Sequence, residues 1–106
     1  MTPEEQQIAE RIQSLVAVDL RQMPPQLRAW AEQHLVEPRP TTRVHITDEL
    51  TLPLWLVTDH TGVNDAACRV VYQPDEDVFG LDTCLPDGTK RFMGLYGSFA
   101  ESVENM

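Results

Sequence analysis

The chain is poor in cysteine, in basic residues and in long apolar runs, and each shortage removes a class of protein. Cys68 and Cys84 are its only cysteines. Their separation matches neither a CxxC pair nor a zinc knuckle, and two thiols make no disulfide framework. They suit a reducing, cytosolic setting of bacterial or phage type, and would pair only if their strands were neighbours. No continuous apolar stretch approaches the roughly 20 residues that a membrane-spanning helix needs. The first residues lack a basic segment followed by an apolar one, so no secretion signal is read there and a cytoplasmic location is expected. Lysine and arginine number 8 against 17 acids, for a formal charge of -9. Such a chain repels phosphate backbones and anionic membranes across a Debye length of about 10 Å. Direct nucleic-acid binding and membrane binding are therefore not expected, whereas a basic protein partner is. Plain solubility explains the same charge equally simply.

Chemical motifs are also missing. There is no phosphate-binding Walker loop, no dinucleotide fingerprint and no HExxH zinc helix, so no cofactor is expected. Ser14, Ser98 and Ser102 lie in no nucleophile elbow. Cys84 stands two residues from Asp82, and a nearby acid raises a thiol pKa, which argues against a reactive thiolate. Gly94-Leu95-Tyr96-Gly97-Ser98-Phe99 is glycine-rich at a strand-to-helix junction, where anions can bind. No Lys or Arg follows, and Glu101 and Glu104 take the favourable dipole positions themselves, so close packing at a corner is the better reading.

What is present reads clearly as local structure. At 106 residues the chain is one domain, 1–106, long enough to bury a core without staples. Thr2-Pro3-Glu4-Glu5 is a capping box with proline at the first helical position, and Ile8, Ile12, Leu15, Val16 and Leu20 recur at helical spacing. Met23-Pro24-Pro25 stops that helix, because the residue before proline avoids the α region. Pro25 opens a second helix with Leu27, Trp30, Ala31, His34 and Leu35 on one face. Residues 1–36 thus form an αα-hairpin, followed by an extended connector from Glu37 to Thr42 through Pro38 and Pro40.

From Arg43 the period becomes two. The strands are Arg43–Thr47, Leu50–Thr58, Cys68–Gln73, Val78–Leu85 and Lys90–Gly97, and a second capping box at Ser98-Phe99-Ala100-Glu101 opens a last helix over 98–106. Val44 and Ile46 mark the buried face of the first strand, and His45 opposite them is solvated. Pro53 demands an edge or a bulge. The Pro86-Asp87-Gly88-Thr89 turn pairs Leu85 with Lys90, and hence Phe79 with Tyr96 and Thr83 with Phe92. The expected fold is α+β: an N-terminal αα-hairpin on a mostly antiparallel five-stranded meander over 43–97, closed by a short helix.

Three places can carry function. Residues 75–106 hold seven acids and two bases. Asp75, Glu76, Asp77, Asp82 and Asp87 surround one hairpin with Tyr72, Phe79 and Tyr96 nearby in the sheet, a mixture that can dock a basic partner, as an inhibitor or immunity-type protein would. A charged sheet edge that resists edge-to-edge pairing is the plainer explanation. The second place is the loop from Asp59 to Asp65, where Asp59, His60 and Asp65 offer oxygen and imidazole ligands for a metal or a hydrolytic water. Its composition also suits an ordinary connection. The third is a homodimer contact on the sheet edge or helix face, anchored by Trp30 or Trp55. His34 lies on the apolar stripe of the second helix and is read as a core-edge histidine bonded to a carbonyl.

Overall fold

The computed structural model describes residues 2–59, 69–85 and 87–105. The element order is α1 (Pro3–Gln22), α2 (Pro25–His34), β1 (Leu35–His45), β2 (Thr51–Thr58), β3 (Arg69–Gln73), β4 (Val78–Cys84), β5 (Lys90–Gly97) and α3 (Phe99–Glu104). Both capping boxes form: Thr2 and Ser98 each accept from the backbone N–H three residues on, and Glu5 and Glu101 return the bond to the caps. No helix among the described residues is long and apolar enough to cross a membrane.

The protein is α+β, but its sheet does not stay open. The five strands close into a barrel in the order β1-β2-β3-β4-β5. Each strand runs antiparallel to the one before it, and the closing pair, β1 with β5, is parallel. That geometry follows from parity: an odd number of strands alternating in direction leaves the first and last pointing the same way. The closing seam is short, with Val44 opposite Arg91 and His45 opposite Phe92. Ile46 extends it by donating its N–H to the Phe92 carbonyl at 3.0 Å.

Closure gives the sheet two apolar faces, because successive side chains point to opposite sides. Leu54, Leu56, Val71 and Phe92 meet inside the barrel. Trp55, Val57, Val70, Tyr72, Phe79 and Leu81 point outward and pack under the helices, against Ile12, Val16, Ala31, Phe99 and Val103. Phe79 joins Tyr72 and Phe99 with ring centroids 5.0 and 5.8 Å apart, tying β3, β4 and α3 together. β2 from Leu54 onward and β3 up to Tyr72 are therefore buried on both faces. Gly80 in β4 has a steric reason: a Cβ there would lie 2.3 Å from the Gly94 carbonyl oxygen.

Three further expectations change. The stretch Glu37 to Thr42 is not a connector but part of β1, which starts at Leu35 directly after α2 ends at His34. Pro38 is tolerated where the register slips, since Leu35 faces Thr58 and Arg39 faces Leu56, whereas Pro40 stays in register opposite Trp55. Four steps on β1 thus span two on β2, a bulge over Val36, Glu37 and Pro38. The β4–β5 register also differs, with Cys84 opposite Lys90, Asp82 opposite Phe92 and Phe79 opposite Gly97. Two bulges absorb the slips, so the expected Phe79–Tyr96 and Thr83–Phe92 pairs do not form. Finally, the faces of β1 are reversed. Arg39, Thr41 and Arg43 sit opposite Leu56, Leu54 and Leu52 and share the barrel's inner side. His45 packs its ring edge-on against buried Phe92 at 5.6 Å, whereas Ile46 is exposed.

Candidate functional site

The inward row of β1 brings charge into the barrel, and the barrel answers it. Asp82 is fully buried. Arg43 donates from Nε to its carboxylate at 2.9 Å, and from Nη1 to the Thr41 hydroxyl at 2.7 Å and the Thr42 carbonyl at 2.9 Å. The Arg69 backbone N–H donates to the other Asp82 oxygen at 3.2 Å. Burial pushes the Asp82 pKa up, while the hydrogen bond and charge of Arg43 pull it down. Arg69, with a side chain 4% exposed, donates from Nε to Asp59 at 3.0 Å, and Arg39 approaches the second Asp59 oxygen at 3.5 Å. Three arginines and two aspartates thus form a charged chain across β1, β3, β4 and the residue that follows β2. Among the described residues, the buried Arg69 Nη1 nitrogen has no hydrogen-bond partner.

The expected partner-binding residues separate into several environments. Asp82 is a correction: it faces the interior and is ion-paired there, so it belongs to no surface patch. Tyr72 is also buried, its ring under the helices and its hydroxyl donating to Asp77. Asp77 in turn takes 2.7 and 3.3 Å bonds from Arg11 of α1, and these contacts hold it in a left-handed conformation at φ 53°. Arg11 and Tyr72 keep the Asp77 carboxyl below the usual carboxylate range. Burial, with the Asp77 bond second, pushes the Tyr72 hydroxyl up to about 12. Tyr96 is half-buried against the same core. Asp75 and Glu76 remain exposed in the β3–β4 turn. Asp87 is exposed at the far end of β4, where it accepts from the Thr89 N–H at 2.9 Å. The seven residues of β4 separate these two turns by about 20 Å.

Of the metal set, only Asp59 can be placed; His60 and Asp65 lie outside the described residues, as does Cys68. Asp59 is held by two guanidinium groups, an arrangement that competes with any cation. Among the described residues no three His, Cys, Asp or Glu side chains converge. His34 bonds through Nδ1 to the Trp30 carbonyl at 2.8 Å, as its position on the stripe predicts. His45 binds Thr47 and stands 3.4 Å from Asp48. Cys84 is free and half-buried.

One concave site went unread in the sequence. A groove of about 350 Å³ lies between α1 and the bulged start of β1, lined by Ile12, Gln13, Val16, Ala17, Leu20, Leu35, Val36, Glu37, Pro38 and Val57. Its local signal was present in Pro38, soon after a helix end, but the register slip that contains it involves β2, some twenty residues on. The chain matches no protein-family model, no curated protein and no solved structure.

Proposed function

We propose that this chain is a non-enzymatic interaction domain that binds a basic protein, in the manner of an inhibitor or immunity-type protein. The observation that carries the reading is how the fold sorts charge. Twelve of the seventeen carboxylates stand exposed among the described residues, against four cations: Arg11, Arg21, Arg39 and Lys90. Arg11 and Arg39 are each ion-paired already, and Arg43 and Arg69 are drawn into the barrel. The folded surface is therefore more acidic than the composition, and such a field steers basic partners to fast encounter. In this reading the N-terminal helices act as a hairpin laid over the barrel, and Asp75 and Glu76 form part of the acidic exterior. The test is immobilisation of the chain, exposure to a lysate of its source at low ionic strength, and elution by salt. A discrete basic protein should elute, and its retention should weaken when Asp75→Lys and Glu76→Lys are combined. Failure to retain any protein in a salt-dependent way would end this reading.

A second reading is supported by a separate observation. Ile46, Leu50, Met93 and Leu95 are four of the five exposed large apolar side chains among the described residues, and all lie at the β1–β2 turn or on β5, next to the barrel's closing seam. A homodimer would cover them. Light scattering on the wild type and on Leu50→Lys decides it: a dimer that dissociates in the variant supports self-association, and a monomeric wild type removes it.

A further inference from the structure

The groove between α1 and β1 is a built feature rather than slack packing. Its floor comes from Ile12, Val16 and Leu20 of α1 and Val57 of β2. Its far wall is the bulge of β1, where the register skips Val36, Glu37 and Pro38. Pro38 is buried in that bulge and Pro40 follows two residues later, and the fixed φ of each proline stiffens the wall so that it does not collapse onto the helix. The resulting volume of about 350 Å³ falls in the range of genuine ligand pockets, which run from roughly 300 to 1,000 Å³.

The lining selects its occupant by charge. Eight of the ten lining residues are apolar. The two polar ones are Gln13 and Glu37, and no lysine or arginine is among them. Glu10, one turn before Gln13 on the same side of α1, is exposed. An apolar chain ending in a carboxylate or phosphate would find a carboxylate at the rim and no counter-charge. An apolar group flanked by a cation would find both surfaces it needs.

We infer that this groove is where the basic partner docks, seating an aliphatic side chain between α1 and the β1 bulge with a neighbouring lysine or arginine against Glu37. The assignment rests on the basic-partner reading above and locates it. Bulges recur beside binding sites because they re-aim side chains, and here the bulge turns Glu37 out to solvent while Leu35 and Val36 stay with the core clusters. Affinity comes from the buried apolar anchor, and selection from the rim charge.

The test uses the whole protein, isotope-labelled for NMR, and two synthetic amphipathic peptides of equal length and equal leucine content, one carrying lysines and the other glutamates. The lysine peptide should shift the amide signals of Gln13, Ala17, Val36 and Glu37, and the glutamate peptide should not. Ala17→Trp fills the groove from an exposed helix position, where the fold tolerates change. It should weaken the lysine peptide by about tenfold, the loss of one anchor. Glu37→Gln should weaken it by about twofold to fivefold and reduce its salt dependence. Three results overturn the assignment: no shifts with the lysine peptide, equal binding of the glutamate peptide, or binding unaffected by both variants. The last of these, combined with weakening by Asp75→Lys and Glu76→Lys, would remove the groove while leaving the basic-partner reading intact. Loss of the lysate partner in the salt-elution experiment would remove the reading itself.

Discussion

Replacing Arg43 by methionine removes the guanidinium that pairs with the fully buried carboxylate of Asp82. Methionine retains an apolar stem, so the change isolates the charge and three hydrogen bonds, to Asp82, Thr41 and Thr42. Breaking one side of a buried ion pair costs roughly 3–5 kcal/mol, because the remaining charge is left without compensation. Two features place this site at the lower end, about 3 kcal/mol. The Arg43 side chain keeps 13% exposure, and Asp82 retains the Arg69 N–H at 3.2 Å. In a domain of this size that loss lowers Tm by about 12–20 °C. The pH dependence is a sharper check. Burial already holds the Asp82 pKa above its ordinary value against the pull of Arg43. An acid raised in the folded state binds more protons folded than unfolded, so stability falls as pH climbs from the ordinary carboxylate range to the raised value, and stays low above it. Removing Arg43 raises the carboxyl further and widens that window. The deficit of Arg43→Met should thus be smallest in mild acid and grow toward neutrality. Adding Asp82→Asn should restore part of the loss and flatten the pH dependence. Urea unfolding followed by tryptophan fluorescence reports this, since Trp55 is buried under the helices. A deficit below about 1 kcal/mol at neutral pH, or one that does not change with pH, would refute the reasoning from the buried pair.

Further expectations follow from single contacts. Gly80→Ala drives a Cβ to 2.3 Å from the Gly94 carbonyl oxygen, a backbone atom that cannot rotate away, and should cost about 3 kcal/mol in thermal unfolding; a loss within about 0.5 kcal/mol, the scatter of a neutral surface change, would show that β4 and β5 are not so close. Tyr72→Phe deletes the bond to Asp77 and should cost about 1 kcal/mol at neutral pH. Asp77 is lowered in the folded state, so its contribution is present above the ordinary carboxylate range and disappears as pH falls through the lowered value, and the gap between wild type and variant should close in acid. In the wild type, ultraviolet titration should show one phenol ionising near about 12, absent in Tyr72→Phe. Ser98→Ala removes the cap of α3 and should cost about 1 kcal/mol, with faster hydrogen exchange at Glu101, whose N–H loses its acceptor at 3.1 Å.

The parts of the fold legible in the sequence are those set by short-range chemistry. Both capping boxes, the proline break after Met23 and the positions of β2, β3, β4 and β5 depend on residues within a turn of each other. Barrel closure does not. It needs β1 to reach Arg91 and Phe92 across more than forty residues, and only the odd strand count hints at its parallel seam. The acidic hairpin failed as a single site for a related reason. Asp82 reads locally as one more surface acid, and its partner Arg43 lies 39 residues upstream with no spacing signal to join them. Arg43 and His45 alternate visibly with Val44 and Ile46, but alternation cannot say which face is inward.

That undecided choice of face has consequences at both ends of the molecule. With Val44 and Ile46 inside, Arg43 and His45 would have stood on the exterior, Arg43 partly neutralising its acids, and Asp82 would have been buried without a cation. With Arg43 inside, Asp82 is compensated and Ile46 is left exposed beside Leu50 and Met93. The same inversion therefore makes the outer surface more acidic and leaves an apolar cluster by the seam. Asp82 and Arg43 also make the prediction reciprocal. A sequence that replaced both by aliphatic residues would leave the buried Arg69 N–H without its acceptor, a loss of about 1–3 kcal/mol, but replacing a buried pair in this way is otherwise often neutral or stabilising by about 1–4 kcal/mol. The double change Arg43→Met with Asp82→Leu should accordingly fold about as stably as the wild type at neutral pH, and its unfolding midpoint should show none of the pH response of the single Arg43→Met variant. If the double variant is instead as unstable as the single one, the pair is holding the inward face of β1 in register rather than merely cancelling its own charge.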